Sequence, residues 1–417
     1  LAGLYLHIPF CQQACSYCDF YFSTRLQRVD DFVDAMELRI HQAGRSRWGS
    51  TPFKTLYFGG GTPSLLSLKH VERLLLAVDQ AFKTDFQEIT LELNPENSSK
   101  EYLEGLASLG ITRLSVGIQS LQPHILTFMH RAHDQEGALR CLEQLVASPF
   151  ERWSADLIIA NPGQTMEDVI ADVRLLAGFE PPHISAYVLM LEERTRLEKQ
   201  VALGRIQMPE GDIVADQMQA AQSILMQHGY FRYEVSSFAR GGLQNRAIHN
   251  SRYWDHQPYL GLGPSAHSLW WDGTVENASA TRWHEVKDLR QWMAVVHDNA
   301  AHHAEYEKEF QQELEHLDAV SLAEERIMMA LRTSEGISFN ELADRYHVSF
   351  VEAHHQHIQQ WIAHEWAAPG LVNHVKFTDT GLDRADALLL DLLTIPLKSH
   401  RLDVAESLPR ESDKINA

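Results

Sequence analysis

Along the first two hundred residues, short runs of aliphatic and β-branched residues alternate with longer stretches whose apolar positions recur every three to four residues. Leu4 to Ile8, Thr55 to Phe58, Ile89 to Leu93, Arg113 to Ile118, Ala155 to Ile159 and His183 to Val188 have the length and composition of buried strands. Between them, Val29, Phe32, Val33, Met36 and Ile40 form one helical stripe, and Val71, Leu74, Leu75, Val78 and Phe82 form another. Strands alternating with helices predict parallel strands joined by right-handed crossovers. Six such units close only part of an eight-stranded barrel. The pattern therefore predicts an α/β fold, a partial (β/α)6 TIM-type barrel with one side open to a large substrate.

The alternation stops after about residue 200. A segment rich in Gly, His and aromatic residues, from Tyr230 to about Trp283, reads as a second functional region, smaller and of α+β character. An acidic stretch around Glu305 to Glu325 reads as a solvated helix face. Helical patterns then run over Leu322 to Leu331, Phe339 to Tyr346 and Phe350 to Trp361, and a short hairpin is predicted across Leu371 to Phe377. Together they predict a winged-helix-like C-terminal domain. The tail beyond Pro396 is polar and lacks apolar periodicity, so it is predicted to be disordered. The expected organisation is a barrel over 1–200, a second region over 201–300, a winged-helix-like domain over 301–395 and a tail over 396–417.

A chain of 417 residues that is 44% hydrophobic can bury a large core and divide into two or three domains. No run approaches eighteen consecutive apolar residues, and the lead before the first strand lacks signal-peptide character, which predicts a cytoplasmic protein without a transmembrane segment. A formal charge of −20 disfavours nucleic acid and anionic membrane surfaces as partners. That also weighs against reading the winged-helix-like end as the DNA-binding part of a redox-sensing regulator.

Four cysteines occur, three of them within eight residues, which excludes a distributed disulfide framework. Cys141 falls among Leu139, Leu142, Leu145 and Val146 in a helical stripe and reads as a small buried hydrophobe. The other three form a C-x3-C-x2-C run, Cys11, Cys15 and Cys18, immediately after the first strand. Iron–sulfur clusters are usually held by four thiolates, so three leave one iron free for another ligand. Zinc, which prefers four closed ligands, is the plainer alternative. Gly59-Gly60-Gly61-Thr62-Pro63 follows the second strand, where glycines let backbone groups approach a ligand without Cβ obstruction.

In these motifs, their order and their separations, the sequence resembles the radical S-adenosylmethionine (SAM) superfamily. The resemblance implies a 4Fe–4S cluster on Cys11, Cys15 and Cys18, whose free iron chelates the methionine end of SAM, and an electron donor if SAM is cleaved. It assigns to SAM the GGGTP residues Gly59, Gly60, Gly61 and Thr62, with Tyr5, Glu92, Gln119, Arg131 and Asp156. These lie at or just beyond strand ends, where barrel ligands bind. One departure is Ala160-Asn161-Pro162-Gly163, where relatives carry Gly and an apolar residue before the proline.

Within the superfamily, the chain to about residue 390 resembles the coproporphyrinogen dehydrogenase group and its HemW heme-chaperone branch. The dehydrogenases carry a further Cys two positions after the third cluster Cys, where Phe20 stands here, and an N-terminal extension that this sequence does not show. His249-Asn250-Ser251-Arg252-Tyr253-Trp254 matches the H-N-x-x-Y-W motif that the resemblance links to heme. Imidazole is a good axial ligand, and Tyr and Trp offer flat surfaces to a porphyrin. The heme-binding candidates are therefore His249, Asn250, Tyr253 and Trp254, with His267 as a competing ligand. Arg246 and Arg252 read as surface residues. The resemblance implies delivery of heme to acceptors such as respiratory enzymes, and it allows a homodimer. The alternative is an oxygen-independent coproporphyrinogen III dehydrogenase or another tetrapyrrole-modifying radical enzyme.

Overall fold

The computed structural model describes residues 2–273, 278–298, 307–369 and 373–399. The six expected strands form as β1 (Ala2–Ile8), β2 (Pro52–Gly60), β3 (Lys83–Leu93), β4 (Arg113–Gln119), β5 (Trp153–Ile159) and β6 (His183–Val188). They lie side by side in chain order, every neighbouring pair parallel, as helical crossovers require. β1 and β6 are not paired with each other, so the barrel stays open.

Register divides the strand residues between two faces. Leu4, Leu6 and Ile8, Leu56 and Phe58, and Leu114, Val116 and Ile118 are buried in one core with Phe32, Met36, Leu74 and Val78 of the surrounding helices. The intervening positions turn into the lumen. They read Tyr5 and His7 on β1, Tyr57 and Gly59 on β2, Thr90 and Glu92 on β3, Ser115 and Gly117 on β4, and Ser154 and Asp156 on β5. A TIM-barrel lumen is ordinarily filled with branched apolar side chains. This one is polar and aromatic, which suits a lumen that holds ligands.

The chain beyond residue 200 extends the same sheet at both edges. β7 (Tyr230–Arg232) and β8 (Ser237–Arg240) continue it antiparallel beyond β6. On the other side β9 (Tyr259–Leu262) runs parallel to β1 and is followed by antiparallel β10 (His267–Trp271), β11 (Ala280–Glu285) and β12 (Gln311–Leu317). An open barrel leaves two strand edges with unpaired backbone groups, and these additions cover both. A buried ion pair ties the extension to the first helix: the Arg39 guanidinium donates to Glu285 Oε1 at 2.8 Å, and the other oxygen accepts from Gly263 N at 2.8 Å and Trp292 Nε1 at 2.7 Å.

Among the described residues the acidic run is not one solvated helix face; Glu305 lies outside them. Glu313 and Glu315 lie exposed on β12, the outermost strand, where charge discourages further strand pairing; Glu324 and Glu325 lie on helix Ala319–Ala330.

Helices Ala319–Ala330, Phe339–Tyr346 and Glu352–Ala363 build a second core from Leu322, Ile327, Leu342 and Trp361, which also takes in Leu269 of β10 and Ala280 of β11. The expected hairpin is present at its base, where Ala367 bridges Phe377 antiparallel and Ala368 N donates to Lys376 O at 3.0 Å. His374–Val375 pairs antiparallel with Ile337–Ser338, while residues 370–372 lie outside the described residues. Lys398–Ser399, expected within the disordered tail, instead pairs with Val348–Ser349; residues 400–417 lie outside the described residues. Among the described residues no helix is long and apolar enough to cross a membrane.

Candidate functional site

β1 delivers the chain to Pro9 and Phe10, and Phe10 is buried edge-on against Phe32 at 5.3 Å. From there a loop leaves and returns. Cys11 N donates to Ser23 O at 3.1 Å, which closes its base, and Ser16 N donates to Met129 O at 3.2 Å, which pins its far side. Cys11, Cys15 and Cys18 are free and half-buried, and all three line one cavity of about 510 Å³. Thr62 Oγ1 donates to Cys11 Sγ at 3.6 Å, and the Arg131 guanidinium donates to Cys15 Sγ at 3.5 Å. Burial raises the Cys11 thiol and pushes Cys18 up to about 12. Among the described residues no three His, Cys, Asp or Glu side chains converge as a mononuclear metal site requires. Three thiols lining one cavity supply three of the four ligands an iron–sulfur cluster usually takes. Cys141 is fully buried in helix Gln135–Val146.

The same cavity is lined by Gly60, Gly61, Thr62, Glu92, Gln119, Arg131 and Asp156. Glu92 accepts from Tyr57 OH at 2.9 Å and Gly60 N at 3.1 Å, and burial raises its pKa to about 7. Arg131 donates to Asn94 Oδ1 at 2.8 Å and Gly117 O at 3.0 Å. Its Nε and Asp156 Oδ1 are buried without a partner, while Asp156 Oδ2 accepts from Ser115 at 3.0 Å. Unsatisfied buried donors and acceptors at a cavity wall are what a polar ligand would complete. The glycines are steric requirements: a Cβ on Gly61 would stand 2.7 Å from Phe10 O, and one on Gly117 would stand 2.7 Å from the Gln119 amide.

Two assigned residues flank this cavity without lining it. Tyr5 stacks on Tyr57 with ring centroids 6.0 Å apart and lines an adjoining cavity, its hydroxyl 3.2 Å from His7 Nδ1. Gly59 makes room for the rings of Tyr5 and Tyr57, each 2.8 Å from where its Cβ would be. The sequence reading missed Tyr57, Ser115 and the anchoring role of Asn94; their signal was polarity at every second position of a strand.

The unusual Ala160-Asn161-Pro162-Gly163 turn closes after β5. Ala160 takes φ 60°, and buried Asn161 donates through Nδ2 to Ile158 O at 2.8 Å and Gln164 Oε1 at 3.0 Å.

Helix Ile248–Trp254 carries the H-N-x-x-Y-W motif. Its first turn is held by Glu88, which accepts from Ile248 N at 3.0 Å and His249 N at 2.8 Å. His249 is buried, its Nδ1 2.8 Å from Thr55 Oγ1 and its Nε2 2.8 Å from Tyr253 OH, and burial lowers its pKa to about 3. Both ring nitrogens are engaged, so in this conformation His249 presents neither to an iron. Asn250 lines the cysteine cavity and Tyr253 the adjoining one. Trp254 is half-buried and its carbonyl accepts from Arg326 at 2.9 Å. Arg246 pairs with Glu335. His267, exposed at the start of β10, lines the adjoining cavity, which measures about 800 Å³. The two cavities share Asp19 and Phe20 of the cysteine loop as a common wall.

Residues 5–176 match the model of the radical SAM superfamily, and residues 317–374 match that of the HemN C-terminal domain. The heme chaperone HemW of Synechocystis sp. is 37% identical over 297 residues, 69% of this chain and 71% of that protein. The heme chaperone HemW of Lactococcus lactis is 30% identical over 86% of this chain and 88% of that protein. The chain belongs to the HemW family of the radical SAM superfamily. HemW-family membership brings the superfamily's two cofactors, a 4Fe–4S cluster and SAM, and the ring of thiols and polar groups around the first cavity fits both. A mitochondrial radical SAM domain-containing protein of Danio rerio is 32% identical over 81% of this chain and 74% of that protein. A solved structure of coproporphyrinogen III oxidase (HemN) from Escherichia coli superimposes with a TM-score of 0.75 at 19% identity, covering 94% of this chain and 89% of that one. At that identity the likeness shows a shared fold.

Proposed function

We propose that this chain is a heme chaperone that binds a 4Fe–4S cluster and SAM in the cysteine cavity, takes heme in the adjoining one, and passes it to heme-requiring acceptors such as respiratory enzymes. The observation that carries the reading is the juxtaposition of the two cavities across Asp19 and Phe20 in a chain of the HemW family. When bound, the cluster supplies an open iron to chelate SAM and an electron for cleavage if a donor provides one. Cys11, Cys15 and Cys18 would hold it. Gly60, Gly61 and Thr62 would receive the methionine end of SAM and Arg131 its carboxylate, while Glu92 and Asp156 would accept from its ribose hydroxyls. Phe20 is 63% exposed on the wall that the two cavities share. The reading includes no nucleic-acid partner and places the protein in the cytoplasm.

The test is anaerobic reconstitution with heme, SAM and coproporphyrinogen III, following heme absorbance and porphyrin products together. Stoichiometric heme binding without porphyrin product is expected. Conversion of coproporphyrinogen III to protoporphyrinogen IX with consumption of SAM would instead make this an oxidative decarboxylase. In the same preparation Cys15→Ser should remove the cluster, read as loss of bound iron and sulfide; full retention of both would overturn the ligand assignment.

A further inference from the structure

The adjoining cavity has a composition unlike the rest of the molecule. Tyr5, Phe20, Tyr21, Phe22, Tyr253 and Tyr259 supply its walls, with Leu269 and Met329. Its charged lining is Arg194, Arg282 and Lys287 against a single carboxylate, Asp19, in a chain whose formal net charge is −20. Arg282 is already paired with Glu315 and Glu325, and Lys287, though exposed, lies 3.9 Å from Glu313; Arg194 is exposed with no ion pair among the described residues. A volume of about 800 Å³ lies within the range of small-molecule sites. Flat apolar walls with a cationic surplus suit a planar aromatic macrocycle bearing carboxylates.

Three histidines line this cavity, and a fourth, His249, touches its wall through Tyr253. Their availability differs sharply. His7 has Nδ1 3.2 Å from Tyr5 OH and Nε2 2.9 Å from Tyr21 O. His256 has Nδ1 3.1 Å from Tyr346 OH and Nε2 3.2 Å from Glu325. His249 is held between Thr55 and Tyr253. His267 has no hydrogen-bonded ring nitrogen among the described residues, is exposed, and sits at the start of β10 on the turn from β9.

We propose that this cavity is the heme seat, with His267 as the axial ligand from the protein and Arg194 and Lys287 pairing the propionates, Lys287 giving up its long contact with exposed Glu313. His249 then acts as a positioning residue: locked on Thr55, it holds the Tyr253 ring in the cavity wall. The inference rests on the heme-chaperone reading and gives it a location and a ligand.

The experiment is a hemin titration of the full, cluster-reconstituted chain under anaerobic conditions, read by the Soret band and the spin state of the bound iron. Wild type, His267→Ala, His249→Gln and the double variant Arg194→Glu with Lys287→Glu are compared, and the dimethyl ester of hemin is titrated beside the free acid. His267→Ala is expected to weaken binding on the order of tenfold or more and to shift the Soret band, with cluster content unchanged. His249→Gln should weaken binding by loosening Tyr253 while keeping the axial-ligand signature of the spectrum. Wild type should prefer the free acid to the ester, and the double charge variant should lose that preference. Heme binding in which His267→Ala keeps the wild-type affinity and spectrum, or in which His249→Gln alone removes the axial signature, overturns the inference and leaves the chaperone reading standing. No stoichiometric heme binding by wild type overturns that reading itself.

Discussion

Glu92 and Ala160 each carry a measurable consequence. Burial lifts the Glu92 carboxyl from 4.5 to about 7 in the folded chain. It therefore holds its proton more tightly folded than unfolded, and its contribution to stability is lost as pH rises from about 4.5 to about 7. Glu92→Gln should flatten that part of the stability–pH curve, measured by urea unfolding of the metal-free protein. SAM affinity should move the opposite way, increasing as Glu92 ionises and becomes a full acceptor for ribose hydroxyls; calorimetry on either side of neutrality checks this, and the dependence should vanish in Glu92→Gln. Ala160 sits at φ 60°, a left-handed conformation that costs a residue with a Cβ roughly 1–2 kcal/mol. Ala160→Gly should recover up to about 1 kcal/mol, less what glycine's larger unfolded-state entropy takes back. An unchanged urea midpoint would show that the Asn161–Gln164 bonds carry the turn.

At the scale of elements, the strongest prediction concerns the tie between the first helix and β11. Arg39 and Glu285 are both about 1% exposed. Removing one member of such a pair strands the other's charge and typically costs ~3–5 kcal/mol. Glu285→Ala should lower the urea midpoint accordingly and free Gly263 N and Trp292 Nε1, with the loss also visible in tryptophan fluorescence. The six parallel strands were legible from aliphatic runs of the right length because their outer face packs on helices. β7 to β12 were not, since short edge strands are chosen by the backbone groups they satisfy rather than by a hydrophobic repeat. The same reason turned Gln311–Leu317, exposed and acidic, into a strand where a helix face was expected.

At the scale of the molecule, the C-terminal helices and the extended sheet share one core, since Leu269 and Ala280 pack among Leu322, Ile327 and Trp361. A chain ending at Leu317 should expose that face, bind an apolar fluorescent dye strongly and self-associate in size-exclusion chromatography. An equally monomeric, dye-silent fragment would show that the barrel manages without the cover.

The cysteine spacing, the glycine turn and the six-fold strand–helix rhythm were determined by sequence alone, because each is a local constraint: thiols close enough for one loop, a backbone free of Cβ, apolar residues at fixed periods. Which polar residues meet across the lumen depended on register, which brings Glu92 opposite Ser115 and Asp156 opposite Ser185 from positions far apart in the chain. The same is true of the histidines. Residue type made His249 and His267 equivalent ligands, and only the packing of helix Ile248–Trp254 over Thr55 engages both nitrogens of the first while the β9–β10 turn leaves the second exposed.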